Sequence, residues 1–272
     1  MRTRNGLWTG IVVLAIMLLP QRVAAEEDSV PPSTAGTLSA PQSMLPPAAI
    51  RKKSGVAGSF KRADFGRERA SRDTRHIADW IVDSADNVGL PFVIVDKTDA
   101  KVFVFDGGGR IRGAAPALLG LARADHTVPG IGDREYSEMP PEDRTTPAGR
   151  FVAALGINLR GEDVVWVDYE AAVSLHRVIT TKPEERRLER LATPTPLDNR
   201  ISYGCINVPA RFYETVVSPA FTGTHGFVYV LPEIRPVREV FSSYDVRERA
   251  RRHYTAQPPT MDAPIASPVA RQ

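Results

Sequence analysis

Cys205 is the only cysteine in the chain, and it lies in the run Ser202-Tyr203-Gly204-Cys205-Ile206-Asn207. A solitary thiol has two readings, a small buried hydrophobe or a nucleophile kept for its reactivity. Local sequence favours the nucleophile. Gly204 permits a tight or strained backbone beside it. A helix predicted over 209–217, with Pro209 at its opening, would bring unpaired N–H groups and a positive dipole end close to the sulfur. Such surroundings lower a thiol pKa and prepare an oxyanion site from backbone amides. A cysteine nucleophile also needs a base, and the chain has five histidines: His76, His126, His176, His225 and His253. His176 is the best placed, since it follows the apolar run Ala172-Val173-Ser174-Leu175 and a core strand there would carry its ring to a site. His76 and His253 lie at the edges of the patterned region, and His126 and His225 in loop-like surroundings. No two histidines share a metal-ligand spacing and one cysteine cannot build a cysteine-pair zinc site, so neither a metal nor another cofactor is expected.

The elements that must position these residues read as strands. Phe92–Val95 and Val102–Phe105 are apolar and β-branched, and Asp106-Gly107-Gly108-Gly109 follows as a hairpin turn. Further strands are predicted over 151–155, 164–167, 172–175 and 227–231. Ile77, Trp80, Ile81 and Val88 fall near one face at helical spacing, which predicts a short helix before Gly89. Many short strands, Gly/Pro turns and one or two short helices give a mainly β class, a β-rich sandwich or barrel. No repeat of 20–50 residues is visible.

The 272 residues, 42% hydrophobic and 25% charged, are enough for one or two domains with a real core. Arg2 and Arg4 precede the apolar run Ile11–Leu19, Pro20 ends it, and Val23-Ala24-Ala25 supplies the small residues a signal peptidase reads. This is the pattern of a secretory signal peptide over 1–25, and the run is about half the ~20 residues a membrane span needs. Its removal takes away three arginines and no acid, so the formal charge of +3 becomes 0. A nucleic-acid partner is therefore not expected from net charge. Residues 26–75 read as a flexible linker, Pro/Ser-rich and then basic. The folded domain is expected over 76–233 and a peripheral tail over 234–272.

Three separated pieces of this domain resemble the bacterial L,D-transpeptidase catalytic (YkuD-like) family. Thr146-Pro147-Ala148-Gly149-Arg150-Phe151 is similar to its T-P-x-G-x-F segment, Leu175-His176 to its upstream catalytic histidine, and Ser202–Asn207 to its S-H-G-C-[IV]-[RN] signature. The resemblance covers roughly 90–233. The chain departs from the pattern in three ways: Tyr203 replaces a histidine, Arg177 replaces a common glycine, and a charged insert around Lys182–Arg190 lengthens the stretch between His176 and Cys205.

The resemblance implies the β fold named above and an enzyme that cuts a peptidoglycan tetrapeptide stem before its terminal D-alanine. Cys205 would be the nucleophile, His176 the base and Gly204 an oxyanion donor. Ser202, Tyr203 and Asn207 would support the loop and line the substrate site. Arg177 has two readings, a partner for a substrate carboxylate or a solvated side chain. The implied partners are wall stem peptides and an amine acceptor on another stem or an envelope protein. The implied location is the periplasm or cell envelope of a bacterium. Two other functions fit the same residues: a carboxypeptidase or endopeptidase that passes the acyl group to water, and a non-catalytic wall-binding protein.

Overall fold

Runs of Val, Ile and Phe set the strands, and their burial shows how many faces each strand covers. The computed structural model describes residues 60–256; the predicted signal peptide, most of the predicted linker and the end of the predicted tail lie outside the described residues. In chain order the elements are α1 (Arg72–Ser84), β1 (Phe92–Asp96), β2 (Lys101–Phe105), β3 (Ile111–Pro116), β4 (Leu119–Gly120), β5 (Gly149–Ile157), β6 (Asp163–Asp168) and β7 (Val173–Arg177). They continue with α2 (Arg187–Ala192), β8 (Arg200–Ser202), β9 (Ile206–Val208), α3 (Ala210–Phe212), α4 (Ser218–Phe221), β10 (His225–Val230), α5 (Val237–Phe241) and α6 (Val246–Ala256). A π turn over Tyr213–Val217 joins α3 to α4.

Eight strands form one sheet in the order β3-β2-β1-β10-β5-β6-β7-β9, parallel at β1·β10 and β7·β9 and antiparallel elsewhere. A backbone bridge between Leu118, just after β3, and Asn207 in β9 brings the two edges together, so the sheet is nearly closed. The class is mainly β, as expected, with more helices than the one or two predicted. Inside the curl lies a core of Val93, Val95, Val104, Val165, Leu175, Ile206, Val208 and Val228, sealed by Tyr213, Val217 and Phe221 of the helical stretch after β9. A second core packs the opposite face of β1, β2 and β10 (Phe92, Ile94, Phe103, Phe105, Phe227, Tyr229) against Ile77, Ala78 and Ile81 of α1. Strands covered on both faces lose the alternation of half-buried ones, which is why β1 reads as a continuous apolar run.

Three boundaries differ from the sequence reading. The linker was expected to run to residue 75, but Phe65 is buried and α1 begins at Arg72. The tail was expected to be peripheral from 234, but Val237, Phe241 and Val246 belong to the second core. In both places sparse apolar anchors sit among many arginines, which dilutes the pattern. Val88 is 68% exposed, because α1 ends at Ser84 with Ala85 in the left-handed conformation.

Candidate active site

The register of β7 on β9 assembles the site. Leu175 pairs with Ile206, His176 with Asn207 and Arg177 with Val208. Side chains alternate across a strand. Val173 and Leu175 on β7, and Ile206 and Val208 on β9, point into the first core. The residues between them, Ser174, His176, Cys205 and Asn207, therefore share the outer face of the curled sheet. Ser174 Oγ and the Ala172 carbonyl oxygen each lie 3.6 Å from Cys205 Sγ. As a thiol, Cys205 donates to Ala172. As a thiolate, it accepts from the Ser174 hydroxyl and backbone N–H.

His176 Nδ1 donates to the Arg177 carbonyl oxygen at 2.6 Å. A carbonyl cannot donate, so the proton is on Nδ1 and Nε2 is left for the sulfur. Burial pushes the Cys205 thiol up, but the hydrogen bond and charge of His176, with the Ser174 bonds, outweigh it and hold the thiol below its ordinary value. Burial likewise pushes His176 down, and its bond and charge interaction with Cys205 outweigh that, leaving the imidazole above its ordinary value. Opposite shifts of this kind favour a thiolate–imidazolium pair.

The loop before Cys205 is tied by side chains. Ser202 Oγ donates to the Cys205 carbonyl oxygen at 2.6 Å and accepts the Gly204 N–H at 3.1 Å. Gly204 has φ of +135°, and a Cβ there would come within 2.8 Å of the Thr145 carbonyl oxygen. Only glycine fits that turn. Thr146 Oγ1 donates to the Gly204 carbonyl oxygen at 2.8 Å and accepts the Gly120 N–H at 2.9 Å. Below it, Lys97 Nζ donates to the Thr146 carbonyl oxygen at 3.1 Å. Thr146 thus couples the predicted T-P-x-G segment to the cysteine loop. Thr146→Val keeps the shape but leaves the buried Gly120 and Gly204 groups without that partner. Urea unfolding should show a loss of about 2 kcal/mol; an unchanged midpoint would show that the hydroxyl contributes nothing.

Several sequence expectations need correction. The three-residue strand β9 separates Cys205 from the helix, which begins only at Ala210. The thiol is therefore lowered by His176 and Ser174 rather than by a helix dipole. The Gly204 N–H is committed to Ser202 and is not the amide available to an oxyanion. Arg177 faces away from the sulfur: it pairs with Asp163 (2.7 Å) and Glu214 (3.0 Å) and lies over the Tyr213 ring. That leaves no role for it as a carboxylate partner beside Cys205.

Ser202 ties the turn, and Asn207 Nδ2 donates to the Cys205 carbonyl oxygen at 3.2 Å. Tyr203 packs against Tyr136, with ring centroids 5.0 Å apart, while the Arg144 guanidinium covers its ring at 4.2 Å. His76 bonds Ser243, His126 and His225 are exposed, and His253 packs on Phe60. None of the four joins the cysteine.

Residues that sequence reasoning missed are Ser174, Thr146 in its structural role, Tyr136 and Arg187. Burial raises the Tyr136 hydroxyl pKa and the charge of Cys205 adds to the shift, while its ring packs on that of Tyr203, two residues before the cysteine. A polar serine in the middle of an apolar strand was the one available signal for Ser174. Among the described residues, no cluster of three His, Cys, Asp or Glu could hold a metal. No helix among them is long and apolar enough to cross a membrane.

No protein-family profile and no curated protein sequence matches the chain. Solved structures do. The helical cell shape determining protein Pgp2 from Campylobacter jejuni matches at 17% identity and a TM-score of 0.37, over 59% of this chain and 52% of that one. The catalytic domain of an L,D-transpeptidase from E. faecium matches at 17% identity and a TM-score of 0.31, over 52% of this chain and 95% of that domain. An L,D-transpeptidase from Mycobacterium tuberculosis matches at 15% identity and a TM-score of 0.31, over 52% and 57%. The chain spans about half the length of the first of these structures.

Proposed function

We propose that the protein is a cysteine-dependent acyltransferase of the bacterial cell envelope, an L,D-transpeptidase acting on peptidoglycan stems. The observation that carries this reading is the convergence of Cys205, His176 and Ser174 on one face of β7 and β9, with the thiol lowered and the imidazole raised. The three sequence pieces of the family are consistent with it, since Thr146, His176 and Cys205 belong to one connected arrangement.

In this reading the Cys205 thiolate attacks the carbonyl that links the third, diamino residue of a tetrapeptide stem to its terminal D-alanine. A carbon–sulfur bond forms and the carbonyl electrons move to oxygen, with the Cys205 N–H as donor. When the tetrahedral adduct collapses, the C–N bond breaks and His176 gives its proton to the departing D-alanine amine. A thioester remains. An acceptor amine then attacks it, His176 takes the amine proton, and the thiolate is released as the new amide forms. With water as acceptor the same steps give a stem shortened by one residue.

Incubating the protein with a disaccharide tetrapeptide should release D-alanine and leave an acyl adduct on Cys205, visible by mass spectrometry and absent from Cys205→Ala. New 3–3 cross-linked muropeptides should follow. Cross-links without change but stems shortened by one residue would assign the hydrolase instead. No released D-alanine and no adduct would overturn the enzyme reading.

A further inference from the structure

One charged group at this site is not used by the chemistry above. The insert between β7 and β8 was legible only as a charged stretch, yet it returns a guanidinium to the cysteine face. Arg186 adopts a left-handed backbone, with φ of 49°, just before α2. The two arginines then part: Arg186 turns outward to pair with Glu189, while the side chain of Arg187 turns in and is only 11% exposed. Arg187 Nη1 donates to Asn207 Oδ1 at 2.8 Å, and Nε donates to Glu185 Oε2 at 2.5 Å. Asn207 is the register partner of His176 and donates to the Cys205 carbonyl oxygen. The Arg187 charge is close enough to His176 to lower its pKa, against the larger rise from Cys205.

Among the described residues, Nη2 has no partner, so three of the five N–H groups of a rigid fork stay uncommitted next to Asn207, the register partner of His176. Glu185 is shared with Lys182 at 3.8 Å, which leaves the cluster with a net positive charge. Such a fork matches the planar, bidentate geometry of a carboxylate.

We propose that Arg187 binds the free carboxylate of the residue that leaves, making the Cys205 site selective for peptides that end one residue beyond the attacked carbonyl. This rests on the acyltransferase reading for the identity of the peptide, while the carboxylate preference of the site does not. The selectivity is for a terminus: an internal peptide bond, or an amidated end, offers the fork no anion.

Two measurements separate these parts. The first compares Cys205 alkylation by iodoacetate, which carries a carboxylate, and by iodoacetamide, which does not. In Arg187→Gln the iodoacetate-to-iodoacetamide rate ratio should fall about fivefold, the order expected for losing one nearby charge in a partly screened site. Arg187→Lys, which keeps the charge without the fork, should lose less. The second compares acylation by a tetrapeptide with a free terminal carboxylate and by its terminal amide. Arg187→Gln should raise KM for the free acid about tenfold with little change in kcat, and leave the amide nearly unaffected.

An unchanged alkylation ratio overturns the proposal. Equal losses on acid and amide also overturn it, since Arg187 would then only hold Asn207 in place. If neither peptide acylates the protein the acyltransferase reading fails, and the alkylation ratio alone still decides whether the site attracts a carboxylate.

Discussion

Replacing His176 with alanine is expected to slow acylation of Cys205 by about 10²–10⁴-fold, the range for a lost general base. It should also move the thiol titration upward. Two kinds of interaction hold that thiol below its ordinary value, the bond and charge of His176 and the Ser174 bonds, and together they outweigh the opposing effect of burial. Removing His176 leaves burial opposed by Ser174 alone, so the thiol rises. In the native protein the bond and charge of His176 favour the thiolate, and the sulfur in turn favours the protonated imidazole. As the pH falls from 9, alkylation by iodoacetamide should stay fast until the lowered thiol pKa is crossed. In His176→Ala it should decline at a higher pH. His176→Gln, which can still bond the Arg177 carbonyl but cannot carry a proton, should behave like alanine in both measurements. An unchanged acylation rate would place the base elsewhere, and no other histidine among the described residues joins Cys205.

The parts of this site differ in how far sequence could reach them. Cys205 stands out because it is solitary and follows a glycine, and His176 because an apolar strand pattern ends at it. Their meeting was not derivable from spacing. It depends on a parallel pairing between β7 and β9, across the whole insert, and β9 has only three residues. A strand that short has no measurable periodicity, so the sequence pattern runs from Cys205 straight to the predicted helix. The apolar strands β1, β2, β5, β6, β7 and β10 were visible for the opposite reason, since Val, Ile and Phe dominate them. β3, with Gly113, Ala114, Ala115 and Pro116, was not. Thr146 shows the remaining gap: its motif was legible, but the value of its hydroxyl lies in two partners 26 and 58 residues away. The same holds for Arg187, whose charged surroundings gave no sign that one side chain of the run turns inward.

Lys97→Met is expected to destabilise the fold by about 3–5 kcal/mol, the cost of breaking a buried charge network from one side. The Lys97 side chain is fully buried and its ammonium donates to the Ala124 carbonyl oxygen at 2.5 Å, to Asp125 at 3.0 Å and to the Thr146 carbonyl oxygen at 3.1 Å. Glu233 lies 3.6 Å away and is itself held by Arg200. Asp125 further accepts the backbone N–H groups of Glu233, Ile234 and Arg235, so this cluster joins β1 to the turn after β10. Methionine matches the stem of lysine but leaves Asp125 without its countercharge and two buried carbonyls without their donor. Adding Asp125→Asn should recover part of the loss, because it removes the stranded charge.

The pH dependence gives a second check on the same variant. Burial lowers the Lys97 pKa despite its acidic neighbours. Between that lowered value and 10.5 the unfolded chain binds more protons at this residue than the folded one, so its contribution to stability increases with pH through that window. Urea unfolding of the native protein should therefore gain on Lys97→Met as the pH rises through the window. A loss below about 1 kcal/mol, or a difference that stays flat with pH, would show that the network is not what holds this end of the sheet. Because Lys97 also carries Thr146, and Thr146 carries the Gly204 carbonyl, the variant should acylate more slowly even under conditions where it remains folded. The same buried lysine then serves both the closure of the fold and the shape of the loop that presents the thiol.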